Sequence, residues 1–261
     1  MSSLREFVKS KLTDQQRKRV RRAIDSVKSI YVKPHRAIRR AGIERRLPSL
    51  PHGRQWRSAM PATLRMSFRT GVINYRYRGI PMLKHPVEVA LYMRLIWETN
   101  IIEIGSHSGG AAVWMADMLH VFGIKGSVVS IDLRPPTPPY APSNVTFLHG
   151  DTNDVGATLT PTLLRTLPRP CLIIEDSSHQ YQATLAILRF FDSLLQRGKY
   201  IVIEDAGVTE MGEDARFDGG PARAIVEFML DRGRDYESDA DYCDHFGSNV
   251  TGNPNGYLRR R

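Results

Sequence analysis

The sequence predicts an α/β fold, with a central mostly parallel sheet and helices on both of its faces. Short apolar segments alternate with helical patterns from Pro86 onward, as expected for a parallel sheet. Two of the apolar segments, "CLIIED" and "YIVIED", end in acidic residues and lie one strand–helix–strand unit apart. Because parallel strands end at one edge, where such sheets bind ligands, these acidic ends predict a binding site.

Each segment of the predicted sheet can be assigned in chain order. "VEVALYMRLIWE" has apolar positions almost all round, which indicates a buried helix before the first strand. The predicted strands are "NIIEIG", "GSVVSIDL", "NVTFLHGD", "CLIIED" and "YIVIED". The predicted helices between and after them are "GGAAVWMADMLHVF", residues 162–167, "ATLAILRFFDSLL" and "GGPARAIVEFML". The tail from Asp235 predicts short strands with turns.

Positive charge is concentrated at the N-terminus. Residues 1–60 contain 17 Lys or Arg and 4 Asp or Glu, whereas the rest of the chain contains 20 and 23. "TDQQRKRVRRAIDSVKSIY" predicts a basic amphipathic helix that begins at an N-capping Thr13. We therefore expect a basic helical N-terminal extension and linker over residues 1–64 and a main domain over 65–261.

The basic helix leaves several partners open. It can dock on its own domain or on a sister subunit, consistent with an expected homo-oligomer, or contact an anionic membrane surface or an acidic substrate. We do not expect nucleic acid, because aromatic residues are not interleaved with the basic ones. The sequence contains no apolar stretch near membrane-spanning length and no signal-peptide pattern at its start. Its two cysteines have no ligand spacing, so we expect a cytoplasmic protein with free thiols.

The segment "EIGSHSGG" after the first predicted strand suggests a cofactor loop. Its glycines allow a tight turn and a close approach to a ligand, but their spacing differs from the dinucleotide pattern G-x-G-x-x-G. Acids at the next two strand ends suit ribose hydroxyls and an adenine amino group, although each could instead cap a turn. An adenosine cofactor without a dinucleotide pattern suggests S-adenosylmethionine. The predicted cofactor-binding residues are Glu103, Gly105, Ser106, His107, Gly109, Asp132, Asp151 and Asp176.

Three carboxylates at neighbouring strand ends suggest a metal site. Asp176, Glu204 and Asp205 offer hard oxygen ligands that suit Mg²⁺. His179 follows Asp176 by three residues, where it could take a proton from a substrate hydroxyl that the metal has acidified. The alternatives are carboxylates that cap loops or pair with arginine, and a structural histidine.

Five stretches together carry a resemblance to a known family: residues 77–96, "IIEIGSHSGG", "EDSSH", "VIEDAG" and "NPNGYLRR". The chain resembles the cephalosporin-hydroxylase-like and rhamnosyl O-methyltransferases, which depend on S-adenosylmethionine and Mg²⁺. The resemblance implies a Rossmann-like class I methyltransferase fold. It also implies metal ligation by Asp176, Glu204 and Asp205 and a general-base role for His179.

The same resemblance places Tyr77 and Lys84 beside the site, as contacts of cofactor or substrate. The alternative for Lys84 is a solvated residue at a helix start. The segment "VTEMGEDARFDGGPAR" is polar and glycine-rich, which fits a mobile lid or an ordinary surface loop.

The predicted function is therefore Mg²⁺-dependent O-methylation of a hydroxyl on a sugar or glycoconjugate. Two rivals remain open: an accessory role in hydroxylation or methoxylation of an antibiotic precursor, and a cofactor-binding scaffold without turnover. The glycine spacing argues against a nicotinamide dehydrogenase.

Overall fold

The computed structural model describes residues 50–97, 100–167, 169 and 171–261. A short hairpin consists of β1 (Arg76–Tyr77) and β2 (Ile80–Pro81). The main sheet consists of β3 (Asn100–Ile104), β4 (Val128–Asp132), β5 (Val145–His149), β6 (Cys171–Glu175), β7 (Tyr200–Ile203), β8 (Tyr236–Ser238) and β9 (Tyr257–Arg260). Its order is β5-β4-β3-β6-β7-β9-β8. Strands β3 to β7 run parallel, and β9 pairs antiparallel with both β7 and β8.

Eight α-helices in the described part of the chain lie before, between and after these strands, and five of them match helices that the sequence predicts. They are α1 (Ala62–Asn74), α2 (Pro86–Leu95), α3 (Gly110–Val121), α4 (Val155–Thr158), α5 (Pro161–Thr166), α6 (Tyr181–Asp192), α7 (Gly220–Arg232) and α8 (Ala240–Cys243). Strand order reverses between β3 and β6, because the chain leaves β3 toward β4 and later returns to the other side of β3. A ligand cleft is expected at this point.

Two apolar cores, one on each face of the sheet, hold the helices in place. Ile102 and Ile104 share a core with Leu185 of α6, whereas Ile101 shares the opposite core with Leu91 of α2. This alternation follows from the two-residue period of a strand. The predicted fold class is confirmed: a mostly parallel sheet with helices on both faces.

Residues 50–60, which the sequence assigns to a linker, pack against the C-terminal tail. Leu50 and Met60 are buried, and the Arg54 guanidinium donates to both carboxylate oxygens of Asp244 at 2.8 and 2.9 Å. The basic helix predicted around residues 13–31 lies outside the described residues. The domain boundary at residue 64 and the expected membrane, acidic-substrate and subunit contacts stay predictions. Within the described residues, no helix combines the length and apolarity that crossing a lipid bilayer requires.

Candidate active site

The carboxyl ends of the four strands β4, β3, β6 and β7 are held together by backbone hydrogen bonds that continue beyond the strands. The Gly105 amide donates to Ile131 at 2.8 Å, the Asp176 amide to Ile104 at 2.8 Å, and the Glu204 amide to Glu175 at 2.9 Å. A Cβ atom on Gly105 would lie 2.0 Å from the Asp176 carbonyl oxygen, so only glycine permits this approach. The predicted cofactor loop and the predicted metal ligands therefore share one edge.

Asp176, His179 and Asp205 form a cluster at this edge. One ligand atom from each lies within 4.8 Å of the others, and His179 Nε2 lies 3.3 Å from Asp205 Oδ2. All three side chains are partly exposed. His179 and Asp205 both have left-handed backbone, with φ of 58° and 55°. Left-handed backbone is strained for a non-glycine residue and occurs preferentially at functional sites.

Glu204, the third predicted metal ligand, is held in a buried ion pair. Lys84 Nζ lies 2.7 Å from each Glu204 carboxylate oxygen and 2.6 Å from Asp176 Oδ2. The Tyr92 hydroxyl also donates to Glu204, at 2.5 Å. The cluster that the structure brings together thus consists of Asp176, His179 and Asp205. Glu204 is not part of it and contacts Lys84 instead.

Lys84 is buried, so the alternative that it is a solvated helix-start residue is wrong. Burial lowers the pKa of Lys84, but the Asp176 and Glu204 carboxylates raise it by more than burial lowers it. The net pKa is well above its ordinary value, so the ammonium remains charged. The start of α2 is fixed next to it by a capping box, in which His85 Nδ1 accepts from the Val87 amide and the Glu88 carboxylate accepts from the His85 amide. Lys84 is therefore a fixed part of the site.

The neighbouring carboxylates raise the affinity of the His179 imidazole for a proton, which suits a proton acceptor. Burial lowers the pKa of His179, whereas the neighbouring Asp205 and Asp176 carboxylates raise it, with a net rise above its ordinary value. Phe217 stands edge-on to the imidazole, with ring centroids 5.6 Å apart. The ring is thus held between a carboxylate and an aromatic side chain.

The Asp132 side chain holds the predicted cofactor loop in place by accepting hydrogen bonds from the backbone of the loop. One carboxylate oxygen accepts from the Ser106 and His107 amides, each at 3.0 Å, and the other accepts from the Arg134 amide at 2.9 Å. The oxygen that accepts from Arg134 has a second lone pair that can accept a further hydrogen bond, so the predicted ribose contact of Asp132 stays a prediction. Gly109 has a φ of 81° and ends the loop at the start of α3.

Glu103 lies buried at the base of the same loop. Ser130 Oγ donates to one of its carboxylate oxygens at 2.5 Å, while the other oxygen is buried without a hydrogen bond among the described residues. Burial raises the pKa of Glu103 to about 7. A buried oxygen without a donor fits a site in which a ligand supplies one.

Two predicted contact residues are engaged in local structure. The Asp151 carboxylate accepts from the Asn153 amide at 2.9 Å and caps the turn after β5. The Tyr77 hydroxyl donates at 2.8 Å to Asp117, which fastens the β1–β2 hairpin to α3. The predicted ligand contacts of Asp151 and Tyr77 therefore stay predictions.

Several residues that support the site were missed in the sequence. Tyr92 and Ser130 hold acidic side chains from elements far apart in the chain. Asn253 Oδ1 accepts from the Asp205 amide at 3.0 Å and supports its strained backbone. Glu175 was not missed: the alternation of a strand predicts that it points away from Asp176, and it accepts from the buried Thr184 Oγ1 at 3.0 Å. Tyr92, Glu175 and Asn253 lie in stretches quoted for the family resemblance, whereas Ser130 lies outside them.

The sheet order and the acidic edge define the class of protein. A parallel sheet of order β5-β4-β3-β6-β7 with an antiparallel β9 inserted beside β7, a glycine loop after β3 and an acid after β4 are the features of a class I methyltransferase. The fold is that of a class I methyltransferase.

The family follows from comparison with known proteins. The sequence model of the family described as Rhamnosyl O-methyltransferase/CmcI matches residues 70–261, and the chain belongs to this family. The rhamnosyl O-methyltransferase of Mycobacterium leprae (strain TN) is 28% identical over 191 residues, which cover 71% of this chain and 82% of that relative. The rhamnosyl O-methyltransferase of Mycobacterium tuberculosis (strain ATCC 25618 / H37Rv) is 29% identical over 192 residues, covering 70% and 77%.

Solved structures of CmcI have a similar fold. A CmcI structure with Mg and SAM has a TM-score of 0.53 at 28% identity and covers 72% of this chain and 77% of that chain. A CmcI structure with SAH has a TM-score of 0.54 at 26% identity and covers 71% and 82%. The resemblance noted in the sequence is confirmed, and the protein is an S-adenosylmethionine-dependent O-methyltransferase.

Proposed function

We propose that the protein transfers a methyl group from S-adenosylmethionine to a hydroxyl of a sugar, free or within a glycoconjugate, with Mg²⁺ bound beside the acceptor. The observation that carries this proposal is the cluster of Asp176, His179 and Asp205 at the cofactor edge of the sheet. Two carboxylates and an imidazole suit both a divalent cation and a proton transfer. The rhamnosyl name of the relatives supports a sugar as the acceptor.

The donor set fits a hard cation. Asp176 and Asp205 offer carboxylate oxygens from neighbouring strand ends, and their partial exposure leaves space for water and substrate oxygens, which Mg²⁺ usually retains. We propose these two aspartates as ligands. Glu204, which the family resemblance adds, is held by Lys84 and Tyr92 and stays a predicted ligand.

The cofactor side fits in the same way. The glycine loop, held by Asp132, and the unpaired oxygen of Glu103 form the proposed cofactor site. When bound, Mg²⁺ would acidify an acceptor hydroxyl and S-adenosylmethionine would supply an electrophilic methyl group.

The chain's own residues then have separate tasks. His179 would take the proton of the acceptor hydroxyl on its unprotonated ring nitrogen, while the Asp205 carboxylate, 3.3 Å from Nε2, orients the ring. Lys84 holds Asp176 and Glu204 in fixed positions. The backbone is left-handed at Leu83, His179 and Asp205. This conformation sets the local geometry of the site before substrate binds. A vicinal diol on a sugar presents two neighbouring oxygens, which suits a cation with open positions.

Labelled methyl transfer to a sugar panel tests the proposal. We expect the purified protein, with S-adenosylmethionine and Mg²⁺, to methylate at least one methyl glycoside that has a vicinal diol, and not its matched deoxy analogue. A chelator should abolish transfer, and added Mg²⁺ should restore it, because the aspartates alone do not acidify a hydroxyl.

Two outcomes would contradict this proposal. Full transfer in the presence of the chelator would exclude a metal role. Transfer to none of the sugars would exclude them as acceptors and would favour an accessory role with an antibiotic precursor.

A further inference from the structure

Helix α1 is tied to the segment that follows Asp205 by two ion pairs. Arg65 Nη2 lies 2.6 Å from Glu210 Oε2, and Arg69 Nη1 lies 2.9 Å from Glu213 Oε1. The four side chains are between 13% and 19% exposed, so these pairs are shielded from water much more than ordinary surface pairs. We call α1 together with segment 206–217 the clasp.

Polar contacts, more than apolar burial, hold α1 against the protein. None of the thirteen described residues of α1 is buried. Its half-buried side chains recur at helical spacing, which identifies one inner face; they are Arg65, Phe68, Arg69, Val72 and Ile73. On that face Phe68 stands edge-on to His85, with ring centroids 4.4 Å apart. A helix held in this way should change position when its ion pairs are broken.

Segment 206–217 begins and ends at the Asp176, His179 and Asp205 cluster. It starts directly after Asp205, and its last residue, Phe217, packs on the His179 ring. Phe217 is buried, and the following Gly220 lies close to the His179 carbonyl oxygen, where an added Cβ would be 3.5 Å away. Between these two ends, Glu210 and Glu213 bind α1. Glu210 and Glu213 therefore link α1 to a segment whose two ends touch the cluster.

We propose that Arg65, Arg69, Glu210 and Glu213 are positioning residues for the acceptor, which they align by holding segment 206–217 against the cluster. This inference rests on the proposed function. The clasp borders Asp205 and His179, where the acceptor hydroxyl would lie, whereas the cofactor loop is at the other side of Asp176. The ion pairs should therefore control use of the acceptor and leave the cofactor affinity unchanged.

Charge reversal and charge exchange test the clasp. We expect Arg69→Glu and Glu213→Arg each to raise the acceptor KM about 10-fold, with the KM of S-adenosylmethionine changed less than about twofold. The double exchange, Arg69→Glu with Glu213→Arg, should recover most of the loss, because it restores an attractive pair. Arg69→Gln should have a smaller effect in the same direction. Arg189→Glu, which breaks the exposed Arg189–Glu227 pair, is the matched control and should change neither KM.

Hydrogen exchange of the full chain gives a readout that does not need an acceptor. The single reversals should raise deuterium uptake in segment 206–217, and the double exchange should return it to the wild-type level. Equal deuterium uptake and an equal acceptor KM in all variants would contradict the proposed positioning role of the clasp. If the wild type methylates no sugar, the proposed function fails, while the exchange data still decide whether the ion pairs hold the segment.

Discussion

Replacing His179 with alanine is expected to reduce methyl transfer by about 10²- to 10⁴-fold, the usual contribution of a general base. The reason is that the neutral imidazole of His179 is the proposed proton acceptor in the cluster. His149→Ala is the matched control: His149 ends β5 on the same edge but is outside the cluster, and its loss should change the rate less than about twofold.

The pH profile separates a base from a structural histidine. The wild-type rate should rise with pH through the pKa of His179, because only the neutral imidazole accepts a proton. In the metal-free protein Asp205 and Asp176 raise this pKa above its ordinary value, so an NMR titration without Mg²⁺ should find a midpoint above that of a free histidine. A cation on the aspartates should lower the pKa again. A His179→Ala enzyme with full turnover and an unchanged profile would show that the base assignment is wrong.

Replacing Lys84 with methionine is expected to destabilise the folded protein by about 3–5 kcal/mol, the cost of leaving buried carboxylates without their counter-ion. Lys84 is buried and contacts both Asp176 and Glu204. Urea unfolding measures the change. A second variant that also carries Glu204→Gln should recover part of the loss, because it removes one of the two uncompensated charges.

An exposed ion pair provides the control for this measurement. Arg189→Met breaks the pair with Glu227, whose side chains are 60% and 42% exposed, and should cost less than about 1 kcal/mol. If Lys84→Met costs no more than Arg189→Met, then the buried ion pair does not hold the strand ends together.

The strand-and-helix plan could be predicted because it follows from local pattern. Short apolar runs identified β3, β4, β6 and β7, and their parallel pairing was predicted from the strand and helix patterns that alternate along the chain. The tail was predicted only as short strands with turns. The antiparallel insertion of β9 between β7 and β8 depends on long-range pairing that no local pattern encodes.

The site was predicted in its components more than in its contacts. Asp176, His179 and Asp205 were each identified from their positions after strands, and the structure brings them together. The inward turn of Glu204 was not foreseen, because it depends on Lys84, which is 120 residues away in the chain. Which of two adjacent carboxylates faces the cleft is decided by such distant partners.

Asp132 illustrates the same limit. Its position after β4 suggested a contact with ribose, and the structure shows that its carboxylate accepts from the Ser106 and His107 amides. A single acid can shape a loop and still contact a ligand. The sequence indicates that an acid is present at the strand end but not which donors lie nearest to it.

The central claim is that Asp176 and Asp205 bind one divalent ion beside the acceptor. Calorimetric titration of Mg²⁺ into the protein saturated with S-adenosylmethionine tests this claim most directly. The account predicts one ion per chain for the wild type and binding at least about tenfold weaker for Asp205→Asn, which removes a carboxylate ligand while asparagine tolerates the left-handed backbone there. Equal affinity in the two proteins, or no Mg²⁺ binding by the wild type, would contradict it.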